Sequence, residues 1–177
     1  MLHTPRSRRT FVKQLSLGLA VAPWIRRGAF AQSDKKVRHA AFGTSGQALQ
    51  DITQIASHPD VEVVAGCDVD ERSTKKFREK FPNARIYADY RELLEKEKDL
   101  QSANVSTPDH MHAPIGGLCL AHGLAVYGEK PLTHDLYETR RLTELAREKK
   151  LVTQMGIQIH SNNEYLTAVK LVQDGVI

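Results

Sequence analysis

Residues 37–48, VRHAAFGTSGQA, decide how this 177-residue chain folds. The apolar run Val37–Phe42 predicts a buried strand, and Gly46–Ser57 carries apolar residues three and four positions apart, as an amphipathic helix does. The glycine turn between them places the first free amides of the helix where a pyrophosphate can bind. The segment therefore predicts the strand, turn and helix that open a dinucleotide-binding domain. A plain glycine turn is the alternative, because Ser45 and Ala48 replace two glycines of the usual Gly-x-Gly-x-x-Gly spacing.

The remainder of the chain alternates short apolar runs with amphipathic ones about six times. Parallel strands need crossover connections, and right-handed crossovers carry helices onto both faces of the sheet. The alternation therefore predicts an α/β domain with a doubly wound parallel sheet of the Rossmann type. Its predicted strands are Val37–Phe42, Val61–Cys67, Arg85–Tyr87, Ser102–Ser106, Leu124–Tyr127 and Val152–Met155. Its predicted helices are Gly46–Ser57, Glu71–Phe81, Tyr90–Glu97, Pro114–His122 and Leu136–Lys149.

The net charge of +4 originates in the amino-terminal residues. Residues 1–31 hold six of the 25 basic side chains and no acid, which leaves 19 basic against 21 acidic side chains elsewhere. A slightly acidic body has no general field for a polyphosphate, so the charge pattern disfavours nucleic acid as a partner. A composition of 41% hydrophobic and 26% charged residues argues against a disordered or multi-span membrane protein.

The first 31 residues have the order of an export signal. Arg8 and Arg9 resemble a twin-arginine motif, a weakly apolar stretch follows over 14–25, and residues 29–31 form a small-x-small cleavage site. A membrane anchor or an amphipathic surface helix is the alternative, but the apolar stretch falls short of the roughly 20 residues that a span needs. We therefore expect a twin-arginine signal peptide over 1–31, no stable membrane anchor, contact with the twin-arginine export machinery, and a periplasmic or secreted mature protein.

Asp68 ends the second predicted strand, 25 positions after Gly43. A carboxylate at this place can accept hydrogen bonds from both ribose hydroxyls of an adenosine, and it repels a 2′-phosphate. The residue therefore predicts NAD as the cofactor, with NADP disfavoured. The alternative is a helix-capping aspartate, a role that Asp70 could also fill.

Two further motifs follow the fourth and fifth predicted strands, TPDHMH over Thr107–His112 and GEKP over Gly128–Pro131. Ligands of open α/β sheets bind at the carboxyl ends of the strands, where both motifs lie. Lys130 is the candidate catalytic residue, because a lysine beside a cofactor can donate a hydrogen bond to a carbonyl or transfer a proton. The alternative is a surface lysine paired with Glu129.

Metal-ligand spacing is missing from the sequence. His110 and His112 have no third ligand at a matching distance, and neither cysteine has a Cys-x-x-Cys neighbour. Cys67 and Cys119 lie in apolar runs. We therefore expect no metal site, and buried free thiols rather than a disulfide.

Taken together, the motifs resemble the Gfo/Idh/MocA oxidoreductases, named for glucose-fructose oxidoreductase and inositol dehydrogenase. The resemblance covers residues 37–177 and implies a first domain that binds NAD(P) and an enzyme that transfers hydride to or from a sugar, cyclitol or related polyol. It also implies that Lys130 contacts nicotinamide and substrate, and that the Lys130–Pro131 peptide is cis. The motifs that carry it are the glycine turn, Cys67–Asp70, Asp89–Leu94, Thr107–His112, Glu129–Pro131 and Met155–Gln158.

The same resemblance divides the chain and assigns its site. A linker over 32–36 would precede an NAD(P)-binding domain over 37–156, and 157–177 would begin a truncated substrate domain. In the family that second α/β domain supplies the substrate pocket, an Asp-x-x-x-His acid/base pair and the usual homo-oligomer contact; here only its first helix, Asn163–Asp174, is expected. The cofactor would contact Gly43, Thr44, Ser45, Gly46, Gln47, Asp68, Thr107, Pro108, His112, Glu129, Lys130, Pro131 and Gln158.

Two other functions fit the same first domain. One is a glycoside hydrolase that uses bound NAD to oxidise and then re-reduce its sugar. The other is a truncated, non-catalytic nucleotide-binding module. The sequence leaves both open.

The fourth predicted strand departs from an apolar pattern at Ser102 and Asn104. A buried asparagine without hydrogen-bond partners costs about 2 kcal/mol or more, so Asn104 must find partners within the fold. Gly116 and Gly117 lie inside a predicted helix, at about 1 kcal/mol each relative to alanine. These residues predict a domain of marginal stability.

Overall fold

The computed structural model describes residues 36–177, so the predicted signal peptide over 1–31 and nearly all of the predicted linker over 32–36 lie outside the described residues. The strands are β1 (Val37–Phe42), β2 (Val61–Cys67), β3 (Arg85–Tyr87), β4 (Ser102–Val105), β5 (Ala125–Glu129) and β6 (Thr153–Gly156). The α-helices are α1 (Gly46–Ile55), α2 (Lys75–Lys80), α3 (Tyr90–Lys96), α4 (His112–Ala121), α5 (Leu136–Lys149) and α6 (Asn163–Gln173). Short 3₁₀ turns lie at Glu71–Thr74, Asp109–Met111 and Gln158–Ser161.

The six strands form one parallel sheet in the order β3-β2-β1-β4-β5-β6. The chain builds outward from β1 to β3 and then crosses to β4 on the other side of β1. This doubly wound α/β architecture confirms the predicted fold class. Because Phe42 at the end of β1 pairs with both Cys67 and Val105, the carboxyl ends of β1, β2 and β4 meet at the topological switch point, where ligands bind in such sheets.

Strand bounds deviate from the prediction where pairing decides them. The first three strands have the predicted bounds, but β5 extends to Glu129 because β6 supplies a partner as far as Gly156. The second predicted helix begins instead as a 3₁₀ turn, in which the Asp70 carboxylate accepts from the N–H of Arg72. Hydrophobic periodicity does not predict these bounds, because the bounds depend on pairing with a neighbouring strand or on one capping side chain.

Apolar side chains on both faces of the sheet hold the strand ends in place. Phe42 and Val105 belong to a large cluster that includes residues of α3 and α4, whereas Ala41, on the opposite face, packs with Ile52 of α1 and Phe77 of α2. Complete burial of one such large side chain stabilises the fold by about 1.5–3 kcal/mol. The edge that carries the predicted site therefore rests on a packed core.

The polar residues predicted to weaken β4 are paired. Asn104 is fully buried, and its amide group bonds the side chains of His39 and Ser106. Both cysteines are buried and free, as predicted. Burial is the main cause that raises the pKa of each thiol to about 12, and at Cys67 the neighbouring Asp68 carboxylate adds to it.

Few other residues of the described range pack against the last strand and the last helix, β6 and α6. On α6, Leu166 is 50% exposed and Val172 60%, and Met155 of β6 is also exposed. Large apolar side chains of this helix thus face solvent within residues 36–177. Over the same residues, no helix has both the length and the apolar character that a bilayer crossing requires.

Candidate functional site

The glycine turn after β1 is closed against the end of β4. Gly43 has a φ of +95°, and a Cβ built on it would lie 2.6 Å from the carbonyl oxygen of Ser106, so a side chain has no room there. Its N–H donates to the carbonyl of Cys67 at 2.9 Å. Ser45 precedes α1 in an extended conformation and makes no capping bond with its side chain. The first amides of α1 are therefore left for an external acceptor, which an anion can supply.

The Asp68 carboxylate ties the end of β2 to this turn. One of its oxygens accepts from the N–H of Thr44 at 3.1 Å and from the Thr44 hydroxyl at 2.8 Å. The other oxygen accepts from the N–H of Asp70 at 3.0 Å. The capping role belongs to Asp70, which accepts from the N–H of Arg72 and pairs with its guanidinium group. Asp68 is therefore not a helix cap, and its carboxylate is held with a fixed orientation on the wall of a cleft.

A cleft of about 620 Å³ lies between the loops that follow β1, β2, β3 and β4. Its size lies within the range that small-molecule sites occupy. Val69 on its rim is 90% exposed, and the Arg91 guanidinium, which also lines the cleft, lies 4.4 Å from the Tyr90 ring centroid. The hydroxyl of Thr107 is buried and has no hydrogen-bond partner among residues 36–177. The adenosine part of a dinucleotide fits this combination of an apolar rim, the fixed Asp68 carboxylate and the unpartnered Thr107 hydroxyl.

The His112 ring joins the loop after β4 to the loop after β5. The ring is buried, with Nε2 at 2.7 Å from the carbonyl oxygen of Thr107 and Nδ1 at 2.6 Å from that of Pro131. Each contact is a hydrogen bond only when that nitrogen carries a proton, because a carbonyl oxygen only accepts. The Lys130–Pro131 peptide between the loops is cis. His112 therefore fixes the backbone next to Lys130, through its contact with the Pro131 carbonyl oxygen.

Glu129 fixes that backbone from the other side. Its buried carboxylate accepts from the Gln158 amide, from the Tyr127 hydroxyl at 3.3 Å and from the N–H of Lys130 at 3.3 Å. Burial, followed by the carboxylates of Asp51 and Glu129, raises the pKa of Tyr127 to about 12. Lys130 itself is exposed and forms no ion pair within the part of the chain that the structure describes. Of the alternative, the structure contains the surface lysine but no ion pair between Lys130 and Glu129.

The structure brings the predicted site residues together in two groups along one sheet edge. Gly43–Gln47, Asp68, Thr107 and Pro108 surround the cleft or its turn, and the second group is His112, Glu129, Lys130, Pro131 and Gln158. The ring of His112 connects the groups, and Gln158 also faces Ser45 and Gln47 across a neighbouring groove.

Sequence reasoning missed Asp51 and Ser106. Asp51 is a buried carboxylate on α1, and the side chains of Gln47 and Ser106 both donate to it. A signal existed for Asp51, because it occupies the same helix face as Ala48 and Ile52, where an acidic residue is out of place. No sequence signal marked its partner Ser106, which is 55 residues away.

Comparisons with known proteins agree with this geometry. Residues 37–157 match the model of the oxidoreductase family with an NAD-binding Rossmann fold, GFO_IDH_MocA. The dTDP-3,4-didehydro-2,6-dideoxy-alpha-D-glucose 3-reductase of Streptomyces violaceoruber is 34% identical over 148 residues, which cover 80% of this chain and 42% of the reductase.

Two solved structures have a similar fold. The myo-inositol 2-dehydrogenase from Lactobacillus plantarum matches with a TM-score of 0.73 and 21% identity, over 81% of this chain and 42% of that chain. GenD2 from gentamicin A biosynthesis, in complex with NAD, matches with a TM-score of 0.64 and 26% identity, over 69% of this chain and 34% of that chain. The chain thus spans less than half the length of each of these relatives.

Proposed function

Because the chain belongs to the Gfo/Idh/MocA oxidoreductase family, with its NAD-binding Rossmann domain over residues 37–157, we propose that it is the cofactor-binding part of an NAD-dependent enzyme acting on a sugar, cyclitol or related polyol. The observation that carries the proposal is the alignment of the glycine turn, Asp68 and the Lys130 loop along one sheet edge. Bound NAD would supply a nicotinamide ring that accepts hydride from, or returns it to, a carbinol carbon. The sugar-modifying reductase from Streptomyces violaceoruber, 34% identical, supports this substrate class.

The cleft beside Asp68 would hold the adenosine half of the cofactor. Two hydrogen bonds from Thr44 and one from the N–H of Asp70 hold the carboxylate in place, so its remaining acceptor position can receive a ribose hydroxyl without a loss of side-chain freedom on binding. The free amides at the start of α1 would bind the pyrophosphate. A carboxylate at the ribose also disfavours a 2′-phosphate, which supports NAD as the preferred cofactor.

At the other end of the edge, Lys130 would act on the substrate. Glu129 accepts from its backbone N–H and His112 contacts the next carbonyl, so the backbone is fixed while the ammonium group remains exposed. An ammonium group held in this way can donate a hydrogen bond to a substrate oxygen or, after losing a proton, accept one from a hydroxyl. Gln158, anchored on Glu129, would contact the cofactor near the same place.

The export route is a further part of the proposal. A signal peptide over 1–31 would carry the folded protein to the periplasm, which suits a cofactor that must be bound in the cytoplasm first. Replacing Arg8 and Arg9 with Lys in the full-length protein should retain it inside the cell, as cell fractionation would detect. Export of the variant at the wild-type level would contradict the twin-arginine assignment.

The experiment that tests the proposed function compares two lysine variants of the full-length enzyme. Lys130→Ala should lower kcat on an oxidised polyol about 100-fold or more and change the Kd for NADH less than threefold, since proton transfer contributes about 10²–10⁴ to rate. Lys98→Ala, at an exposed lysine between α3 and β4 and outside the residues that line the cleft, is the control. Undiminished turnover in Lys130→Ala would remove Lys130 from the reaction, and no NADH binding by the wild type would overturn the function.

A further inference from the structure

Several polar side chains lie buried beneath α1, on the sheet face that carries Asn104. Asp51 is 7% exposed, His39 3% and Asn104 fully buried. Among residues 36–177, no cationic group forms an ion pair with the Asp51 carboxylate. A buried carboxylate without a cation depends on hydrogen bonds for its stability, so the partners of Asp51 decide how this region is arranged.

These side chains form a continuous series of hydrogen bonds from the middle of the sheet to the first turn of α1. Five bonds make up the series, and each has ordinary length. They join Ser102 Oγ to His39 Nδ1 (2.8 Å), His39 Nε2 to Asn104 Oδ1 (3.2 Å), Asn104 Nδ2 to Ser106 Oγ (3.2 Å), Ser106 Oγ to Asp51 Oδ2 (2.8 Å) and Gln47 Nε2 to Asp51 Oδ1 (2.7 Å).

The direction of every bond follows from the carboxylate at its end. A carboxylate accepts only, so Ser106 must donate to Asp51 and can then accept only from the Asn104 amide nitrogen. The Asn104 oxygen therefore accepts from Nε2 of His39, which leaves Nδ1 to accept from the Ser102 hydroxyl. Burial lowers the pKa of His39 to about 4, which agrees with a neutral ring bearing one proton at neutral pH.

Both donors to Asp51 adjoin the glycine turn. Gln47 is the second residue of α1, directly after Gly46. Ser106 donates its N–H to the carbonyl of Phe42 at 2.9 Å, and its own carbonyl oxygen is the atom that leaves Gly43 no room for a side chain. The Asp51 carboxylate thus connects the helix side of the turn to the strand side.

We propose that Asp51 is a positioning residue of the cofactor site, which holds Gln47 and Ser106 so that the turn between them matches a pyrophosphate. The inference rests on the proposed function and extends it, because it assigns a contribution to cofactor affinity to Asp51, which is not among the residues predicted to contact the ribose or the nicotinamide. Asp51 acts through Gln47 and Ser106, and the remainder of the series serves to orient Ser106.

The test measures the Kd for NADH, followed by the emission of NADH itself, in variants of the full-length protein. Asp51→Asn keeps the volume but replaces one accepting oxygen with an N–H donor, so the bond from Gln47 or from Ser106 is reversed or lost, and the Kd should rise about five- to tenfold. Asp51→Asn added to a variant that carries both Gln47→Ala and Ser106→Ala should change the Kd less than twofold, because both contacts of Asp51 are already lost in that background. Asp99→Asn, at an exposed carboxylate outside the series, is the control and should leave the Kd within twofold of the wild type.

The outcomes separate the inference from the function. An unchanged Kd in a folded Asp51→Asn protein overturns the inference while NADH binding by the wild type retains the function. If Asp51→Asn and Gln47→Ala raise the Kd independently, so that the double variant shows the product of the two increases, Asp51 does not act through Gln47. If circular dichroism shows Asp51→Asn unfolded, Ser106→Ala decides the question: a raised Kd supports the role and an unchanged one overturns it. A wild type that does not bind NADH overturns both.

Discussion

Replacing Gly43 with alanine should destabilise the domain more than any other single methyl addition in the glycine turn. Its φ of +95° costs an L-residue about 1–2 kcal/mol. The new Cβ would also lie 2.6 Å from the Ser106 carbonyl oxygen, a backbone atom that can retreat only if the end of β4 shifts. Overpacking of this kind costs about 1–3 kcal/mol. We expect a loss of about 2–5 kcal/mol from a total stability of about 5–15 kcal/mol, measured by urea unfolding.

Gly46→Ala is the matched control, because it has the cost of a positive φ but not the cost of a steric contact. Gly46 also has a positive φ, of +55°, but a Cβ there would meet no atom within 4 Å among residues 36–177. The control should lose only the backbone component, about 1–2 kcal/mol. The difference between the two variants then measures the contact with Ser106. Equal losses for both would refute the reasoning that β4 closes against the turn.

Three further changes test other parts of the structure. Gly116→Ala should raise the free energy of unfolding by about 0.5–1 kcal/mol, because the new Cβ meets nothing within 4 Å and alanine favours the helix; Gly66→Ala, whose Cβ would lie 2.7 Å from the Phe77 ring, should lower it in the same urea titration. Burial lowers the pKa of His39 to about 4 in the folded protein, so below about pH 6.5 the unfolded chain binds a proton on His39 that the folded protein does not bind. The free energy of unfolding should therefore fall by about 3 kcal/mol as the pH drops from 6.5 to 4. Urea titrations at pH 7 and pH 4.5 should show this slope in the wild type and not in His39→Gln. Asp68→Ala should raise the Kd for NADH at least fivefold and reduce the preference over NADPH; unaltered affinities for both would contradict its contact with the ribose.

The fold was predictable because its signals are local. The run into Gly43, the alternation of strands and helices, and the placing of Asp68 at a strand end each depend on neighbours within about ten residues in sequence. Right-handed crossovers restrict the strand orders that these elements allow, but the order itself comes from the structure. The bounds of β5 were not predictable, since they depend on pairing with β6.

The network around Asp51 shows the limit of sequence reasoning at the site. Ser102 and Asn104 could be recognised as out of place in a buried strand, and the need for partners followed from the cost of burying an amide. Their partner His39 is 63 and 65 residues away, so its identity required the register of β1 against β4. The contacts of His112 with two loops depend in the same way on how α4 sits against the sheet.

The buried thiols make the protein suited to site-specific labelling. With a pKa of about 12, Cys67 and Cys119 each present about one thiolate in ten thousand at pH 8, and the sequence holds no other cysteine. A cysteine introduced at Val69, on the rim of the cleft and 90% exposed, would therefore react with a maleimide dye while the native thiols stay unmodified. The only tryptophan is Trp24, within the predicted signal peptide. A dye at position 69 would give residues 36–177, which contain no tryptophan, an optical reporter beside the cleft.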